Sequence, residues 1–483
     1  MDYDVVVVGC GVAGLSAALT AVEEGARVAL LERSTKNVRG GNSRYTEAYM
    51  RMPNETEISE DFEERLINGS VGCIDPKLVQ YTLKPYEKWP PMLRAYGLTD
   101  PGVIAAFVEG VPPVVQWLKG YGVRFMECSP FLMTQRTKRI APSGGGEAIV
   151  EALASAAEKQ GVAFYYETTA RSLIQGKKGE VSGVRAWSNG GGARNFEAKA
   201  VVLGCGGFEG NIEMLTRYLG HHAHLTRPTA PGGLYNKGEG IEMALAVGAA
   251  ASGQWDGFHA EPVDPRSSQP EAVIQLFSYG ILVNKLGKRF INEASDFFDV
   301  IYEQTSRAIL GQPGGIAYTI YDSKIEDVPN YKTQIRSDKS PIRAKSVKEL
   351  ARKVEVDPVG LATTIRDFNA AVQEGNFDPL TLDSKCTRGI EPVKSNWCRP
   401  IDEGDLICYP TMCVNTFTFG GIKTTAGAEV VNRDGYVIPG LYAAGEIVGL
   451  FYGSYMGAVS VLRGLVFGKK AGKNAGKYCK QAS

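Results

Sequence analysis

The chain has 483 residues, of which 44% are hydrophobic and 22% charged, and its 53 Lys+Arg balance its 53 Asp+Glu. That length suits two domains, or one large nucleotide-binding domain with an insertion, and the charge balance leaves no electrostatic footprint for nucleic acid or anionic lipid. Nine cysteines, an odd number with no C-x-x-C pair, fit reduced thiols in a cytosol better than a disulfide framework, and no haem or iron–sulfur spacing accompanies them.

The opening residues MDYDVVVVGCGVAG enter a strand at once, leaving no room for a charged leader and cleavage site. No apolar run reaches the ~18 residues of a membrane span. The lysine-rich GKKAGKNAGKYCKQAS reads as a solvated terminus. The expectation is a cytoplasmic protein with no transmembrane segment.

YDVVVV is a continuous apolar run, as in a parallel strand buried on both faces. Gly9, Gly11 and Gly14 follow as G-x-G-x-x-G, with Ala13 inside the turn. Leu15, Ala18, Leu19 and Val22 then repeat at helical spacing until Gly25. ARVALLE predicts the next strand, ending in Glu32 beside Arg33, about 20 residues past the glycine turn. Glycines let backbone N–H groups approach a pyrophosphate at the helix N-terminus, and the acid accepts bonds from ribose hydroxyls. Strand, turn, helix, strand and acid together make a dinucleotide site.

Two features favour FAD over NAD. RGGNSRYTEAYMR (39–51), with Gly40, Gly41, Asn42 and Ser43, is a polar, Gly-rich segment suited to lining a flavin ring. DGYVIPGLYAAGE (434–446) is a late strand running into the Gly445–Glu446 turn, the device by which glutathione-reductase-type flavoproteins close their FAD site; Ser460 and Val461 lie just beyond it. No second G-x-G-x-x-G marks a separate NAD(P)H site.

AFYYETTARSLIQ, carrying Ala170, and GEVSGVRAWSNGGGARNFEAKAVVLGCGGFEG read as strands with a hairpin turn at Asn189–Gly192, returning to the sheet at Gly206–Gly207. From Gln254 the texture changes. DGFHAEPVDPRSSQP reads as loop, YGILVNKLGKRFINE as a hairpin tied by Arg289 and Glu293, and DPVGLATTIRDFNAAV as a helix capped by Asp357 with Pro358 at its first position. The predicted fold is α/β: a glutathione-reductase-type FAD-binding Rossmann domain (1–253 and 412–483) with an inserted α+β capping domain (254–411). Cys10 and Cys205 read as small core residues. GHHAH (220–224) lacks an accompanying carboxylate or cysteine cluster and reads as solvated loop, so no metal site is predicted.

RGGNSRYTEAYMR, PSGGGEAIVEAL, HAEPVD, YGILVNKLGKRFINEASDF, TFTFGGI and GLYAAGEIVGLFYGSY together resemble the soluble branch of the fumarate reductase/succinate dehydrogenase flavoprotein superfamily. Within it the likeness is greatest to FAD-dependent tricarballylate dehydrogenases, and more distant to 3-ketosteroid 1-dehydrogenases. The resemblance implies a mobile cap closing over a carboxylate- or carbonyl-bearing substrate, with hydride passing between flavin and the carbon beta to the carbonyl while a proton moves at the alpha carbon. Covalent members attach FAD through a histidine just before the GGNS equivalent; STKNVRGGNS has none, so non-covalent FAD is expected.

The departures bear on the chemistry. The family's catalytic arginine aligns with Phe297 in DFF, its Glu-x-x-Arg proton relay with Val273 and Leu276, one substrate histidine with Phe417, and a second substrate arginine with Tyr455 or Met456. His259 alone remains of that set. Tricarballylate dehydrogenases tend to carry arginine where this chain has Phe298, so a bidentate carboxylate clamp is missing. Without the guanidinium acid, protonation of an enolate-like carbanion lacks its donor. The resemblance to ketosteroid dehydrogenases implies that Tyr455 polarises a substrate carbonyl, although their turn glycine is Val459 here; the other reading is a tyrosine packing on the flavin edge. His259 is the second catalytic candidate, as hydrogen-bond donor or base. Arg139, Asp296 and Thr418 are substrate candidates: Arg139 as a carboxylate clamp, Asp296 as a base facing the flavin.

The leading expectation is therefore a dehydrogenase that desaturates a CH–CH bond alpha,beta to a carboxylate or carbonyl. One alternative is a reductase of an activated C=C bond, with a fumarate-like or enone substrate; another is a non-catalytic flavin-fold binding protein. With no fused redox module, electrons must pass to a separate acceptor: a carrier protein, a quinone-linked partner or O2.

Overall fold

The computed structural model describes residues 2–71, 88, 90, 100–128 and 138–481. Val5–Val8 forms the expected strand, with the four valines between 0 and 6% exposed. It pairs in parallel with Val28–Leu31 on one side and Ala200–Leu203 on the other. Ala163–Tyr165 continues the sheet beyond the former, and the late strand Val437–Ala443 beyond the latter, both parallel; Glu429–Val431 closes that edge antiparallel. Residues from both chain ends are thus neighbours around one crevice at the carboxyl ends of the strands, where such sheets bind nucleotides.

The first helix, Val12–Glu23, crosses the last, Ser460–Gln481, at very short range. A Cβ added at Gly468 would sit 2.4 Å from Ala13 O, and one at Gly472 2.1 Å from Ala17 O. These glycines let two backbones touch and fix the last helix's N-terminus beside the dinucleotide turn. Thr168–Gln175, Val181–Ser188 and Gly192–Glu197 form an antiparallel meander, with the hairpin at the expected turn.

One helix, Pro101–Gly120, is long and apolar enough to cross a membrane by length and composition alone. Phe107 and Val111 on it are fully buried in the flavin-domain core, and Phe107 contacts Phe467 of the last helix. Apolar periodicity here serves packing.

The cap is built on an antiparallel sheet in the order Phe258–Val263, Leu406–Thr418, Ile316–Tyr321, Ile281–Val283, with Ile342–Ala344 also beside Leu406–Thr418. Pro358–Ala371 is the expected helix, its Asp357 cap accepting from Val359 N, with Leu361, Ile365 and Phe368 buried. One segment differs from its sequence reading. Phe258–Val263, within the predicted loop, is a buried strand because Leu406–Thr418 supplies its ladder; tertiary pairing overrides a Pro- and Asp-rich composition. YGILVNKLGKRFINE closes a hairpin of a single antiparallel bridge, Val283 to Arg289, around the tight turn at Asn284–Gly287, and the strand Ile281–Val283 takes its ladder from Ile316–Tyr321. Arg289 and Glu293 do pair, at 2.6 Å, with Glu293 accepting from Leu282 N. The strand Leu406–Thr418 runs unbroken through 411/412, where the return to the flavin domain was expected. It therefore carries Thr416 and Phe417 from the cap to the flavin crevice.

Candidate active site

Two adjoining cavities occupy the junction. The first follows the dinucleotide turn and is lined by Gly9, Gly11, Ala13, Glu32, Arg33, Gly40, Gly41, Asn42, Ser43, Ala170, Gly206, Gly445, Glu446, Ser460 and Val461, all from the sequence-predicted set. Glu32 follows its strand with Oε2 accepting from Cys10 N at 2.9 Å and Oε1 from Ser34 N at 2.8 Å, which pins the carboxylate beside the glycine turn. Gly14 and Gly207 stand behind the wall. A Cβ at Gly14 would lie 1.9 Å from Gly9 O, and one at Gly207 2.2 Å from both Thr418 Oγ1 and Glu446 Oε1.

Thr418 lies at this second layer too. It is fully buried, with Oγ1 accepting from Phe208 N and donating to Glu446 Oε1, so it braces the wall and is on neither lining. Beneath that wall Glu209 accepts from Asn42 and Asn236, each at 2.6 Å. Burial and the adjacent Glu446 carboxyl push Glu209 well above the usual carboxyl range. The sequence reading missed Thr229, Asn236, Glu239, Thr416, Phe417 and Arg463 on this lining. Thr416 and Phe417 lie in TFTFGGI and the others in unremarkable local sequence, and only the strand and helix crossings bring all six to this wall.

The second cavity lies under the cap and shares Thr46, Glu271, Thr416, Ser460 and Val461 with the first. Tyr455, His259 and Arg139 all line it. Tyr455 packs edge-on to Phe417 (5.0 Å) and Phe451 (5.3 Å). Its hydroxyl oxygen accepts from Val459 N at 2.8 Å and Ser460 N at 2.9 Å, at the start of the last helix. Both lone pairs of a phenol are then occupied, and the hydroxyl hydrogen is its remaining capacity. The helix N-terminus and the two amides polarise that O–H as a donor.

His259 is 5% exposed and its Nε2 lies 2.8 Å from Tyr302 Oη. Burial, then the Arg307 charge, lower its pKa to about 3. The ring is neutral at neutral pH and a weak base; it orients Tyr302. Arg139 has Nη2 3.7 Å from Asp299 Oδ2 and a buried Nε without a hydrogen-bond partner. Asp296 is on neither lining: its Oδ1 accepts from Phe297 N at the start of the helix Phe298–Leu310, and Asp299, one turn on, faces the cavity instead. Phe297 packs on Trp397 inside the cap at 5.7 Å, and Phe298 takes the place on the cavity wall.

Val273 and Leu276, where the proton relay was aligned, are buried core residues. Two carboxyls close by were missed. Glu261, two residues after His259 on the same strand face, and Glu271, two residues before Val273, both line the cavity. Alternation along a strand would have given Glu261, had the strand been recognised. Burial, partly offset by the Arg336 charge and reinforced by Glu47, raises Glu261 to about 7; burial and the Glu261 charge raise Glu271 to about 8. Arg336 bridges Glu47 at 2.8 Å and Glu271 at 3.7 Å.

The first cavity fits FAD on its own geometry. Its dinucleotide end is a glycine cradle with a pinned acid. Its far end holds buried polar atoms without partners: Asn42 Oδ1, Thr229 Oγ1, Thr416 Oγ1 and both Nε and Nη1 of Arg463. The model of the FAD binding domain family matches residues 4–461. The chain belongs to this family. It is an FAD-dependent oxidoreductase of the fumarate reductase/succinate dehydrogenase flavoprotein superfamily. The cytochrome-type fumarate reductase of Shewanella frigidimarina is 27% identical over 484 residues, 99% of this flavoprotein and 78% of that one. The 4-oxocyclohex-2-ene-1-carboxylate 5-dehydrogenase of Sinomonas cyclohexanicum is 28% identical over 375 residues, 71% of this chain and 61% of that one. Among solved structures, the 3-ketosteroid-Δ4-(5α)-dehydrogenase from Rhodococcus jostii, in complex with 4-androstene-3,17-dione, aligns with a TM-score of 0.68 and 25% identity, over 98% of this chain and 96% of that one.

Proposed function

We propose that this flavoprotein desaturates a CH–CH bond next to a carbonyl, in a substrate that carries one carboxylate at most. The observation that supports this reading most is the charge of the cap cavity. Among the described residues it offers Arg139 and Arg336 against Glu47, Glu127, Glu261, Glu271 and Asp299. Arg336 is engaged by two carboxylates, which leaves Arg139 as the guanidinium with donor capacity to spare. A di- or tricarboxylate would bring charges that no cation meets and would sit among carboxylates. One relative is named for a keto-acid and one neighbour holds a diketone, and both kinds of molecule suit a phenol donor with at most one cationic clamp.

Bound FAD, held non-covalently, supplies the two-electron chemistry by exchanging a hydride with substrate carbon. In our reading Tyr455 donates its hydroxyl hydrogen to the substrate carbonyl oxygen, so negative charge developing there is met by a fixed donor. Arg139 holds the carboxylate where the substrate has one. The pair Glu261 and Glu271, poised near neutrality, takes the alpha proton. Glu271 borders both cavities, and the Arg336–Glu47 pair beside it keeps it in place. Electrons then leave to a separate acceptor, whether a carrier protein, a quinone-linked partner or O2.

The test is anaerobic mixing of the yellow enzyme with saturated cyclic ketones, cyclic keto-acids, steroids, succinate and tricarballylate. Bleaching of the flavin by a ketone or keto-acid, with the di- and tricarboxylates inert, is expected. Bleaching by succinate or tricarballylate alone overturns the carbonyl reading. Oxidised enzyme that is inert throughout, with reduced enzyme reacting only with unsaturated compounds, establishes the reductase alternative, which the name of the Shewanella relative supports.

A further inference from the structure

Arg463 is the one residue on the cofactor lining that combines a full cation with two buried, unsatisfied donors among the described residues. It lies in the first turn of the last helix and is 2% exposed. Its Nε and Nη1 have no hydrogen-bond partner. The guanidinium carbon sits 4.9 Å from the Phe451 ring centroid and 5.4 Å from that of Phe417. Burial lowers its pKa to about 10, with Glu446 and then Tyr455 acting the other way, so it stays charged at neutral pH. Glu446 is the carboxyl whose charge acts on it, yet no ion pair within 4.0 Å joins them among the described residues; that carboxyl is engaged by Thr418 and Asn236.

A guanidinium with donors unmet in a dry pocket is unfavourable by several kcal/mol unless something there accepts them. Contacts to two aromatic faces offset only about 0.5–2 kcal/mol each. The pocket itself limits what that something is. Gly9, Gly11 and Glu32 fix the pyrophosphate and ribose at one end, so the isoalloxazine belongs at the other, among Thr416, Phe417, Ser460 and Arg463. When a flavin receives a hydride at N5, one negative charge remains, shared between N1 and the C2 carbonyl. That edge is a planar pair of acceptors, and a guanidinium is a planar pair of donors.

We propose that Arg463 pairs with the N1–C2 carbonyl edge of the bound flavin, holds the negative charge left by hydride transfer, and raises the potential at which this flavin accepts electrons. This inference rests on the cofactor fit and not on the substrate assignment. The α-helix start at Ser460 acts in the same direction through its dipole, but a dipole offers the guanidinium no acceptor atom.

The test uses the purified holoenzyme without substrate. Midpoint potentials of the bound flavin are measured by equilibration with reference dyes over pH 6–8 for the parent, R463K, R463Q and R463M. R463M is expected to weaken the two-electron equilibrium about a hundredfold, a fall of about 59 mV at 29.6 mV per tenfold. R463K, which keeps the charge, recovers most of it, and R463Q, which keeps a donor without charge, falls with R463M. The parent takes up one proton per two electrons, whereas the neutral variants move toward two, because N1 then protonates. Should R463M purify without flavin, R463Q against R463K carries the same comparison. Potentials within tenfold of the parent in the neutral variants, or R463K falling as far as R463Q, overturn the proposal. A wrong substrate leaves every one of these readings unchanged.

Discussion

The two cavities of this flavoprotein are built from different materials. The cofactor crevice is mostly backbone. Much of its shape comes from glycines such as Gly9 and Gly206, whose neighbours leave no space for a Cβ, and the acid at the end of its second strand, Glu32, is pinned by two main-chain amides. The cap cavity is made of side chains gathered from the segment after GGNS, the strand Arg139–Pro142, four parts of the cap and the turn before the last helix. A backbone-built site is stiff and tolerates few substitutions, but its ligand is fixed. A side-chain-built site can be re-specified residue by residue while the fold stays intact. The arginine acid of the wider superfamily aligns with a residue that here packs on Trp397, and titratable carboxyls occupy the cavity.

If the cap side really owns the proton chemistry, Glu271→Gln has the largest effect. Turnover of a responsive ketone is expected to fall about 10²–10⁴-fold, the range for a general base, with flavin content unchanged. The sign of the pH dependence follows from the raised carboxyls. The base is the carboxylate, populated above its pKa, so parental turnover in the oxidative direction rises through about pH 7–8 and then levels. The glutamine variant loses the limb near 8. A rate–pH profile in which that limb persists assigns the proton to another group, with Tyr455 first in line.

Tyr455→Phe comes next, at about 10²–10³-fold in kcat, as for loss of one oxyanion donor. The substitution also uncaps Val459 N and Ser460 N, which costs stability of about 1–3 kcal/mol through unmet buried donors. The two effects separate experimentally: the first appears in kcat with the flavin retained, the second in Tm with or without substrate. Full turnover in the phenylalanine variant confines the hydroxyl to capping.

How much of this could be read from the sequence divides along the same line. The crevice was legible because G-x-G-x-x-G, Glu32, the GGNS segment and the late Gly445–Glu446 turn each act through local backbone geometry, which short motifs encode. Asp357 and Pro358 announced their helix for the same reason. The cap was legible only as an insertion. Phe258–Val263 looked like loop because its partner strand lies some 150 residues later, and with the strand unseen its alternation could not place Glu261 beside His259. Glu271 lies two residues before Val273, and the two positions that align with the relay, Val273 and Leu276, are both buried by the fold. Asp296 and Thr418 lie on neither lining, whereas Asp299, one helical turn on, and Thr416, two strand positions back, each line a cavity.

The contrast also predicts where a change as small as one methyl group will tell. At Gly14 an added Cβ would lie 1.9 Å from Gly9 O and 2.9 Å from its carbonyl carbon. Gly9 itself has φ +100° and is packed against Gly204 and Cys205, so it cannot retreat without moving the neighbouring strand. Overpacking of this kind costs about 1–3 kcal/mol. The strain falls on the turn that receives the pyrophosphate, so Gly14→Ala should weaken FAD binding about 10–100-fold, measured by flavin released on dialysis and restored by titration. Saturated with FAD, the variant should turn over near the parental rate, since no cap residue has moved. A Gly14→Ala enzyme that keeps its flavin and loses turnover would mean that the crevice also sets the chemistry, and that the two cavities do not divide binding and catalysis between them.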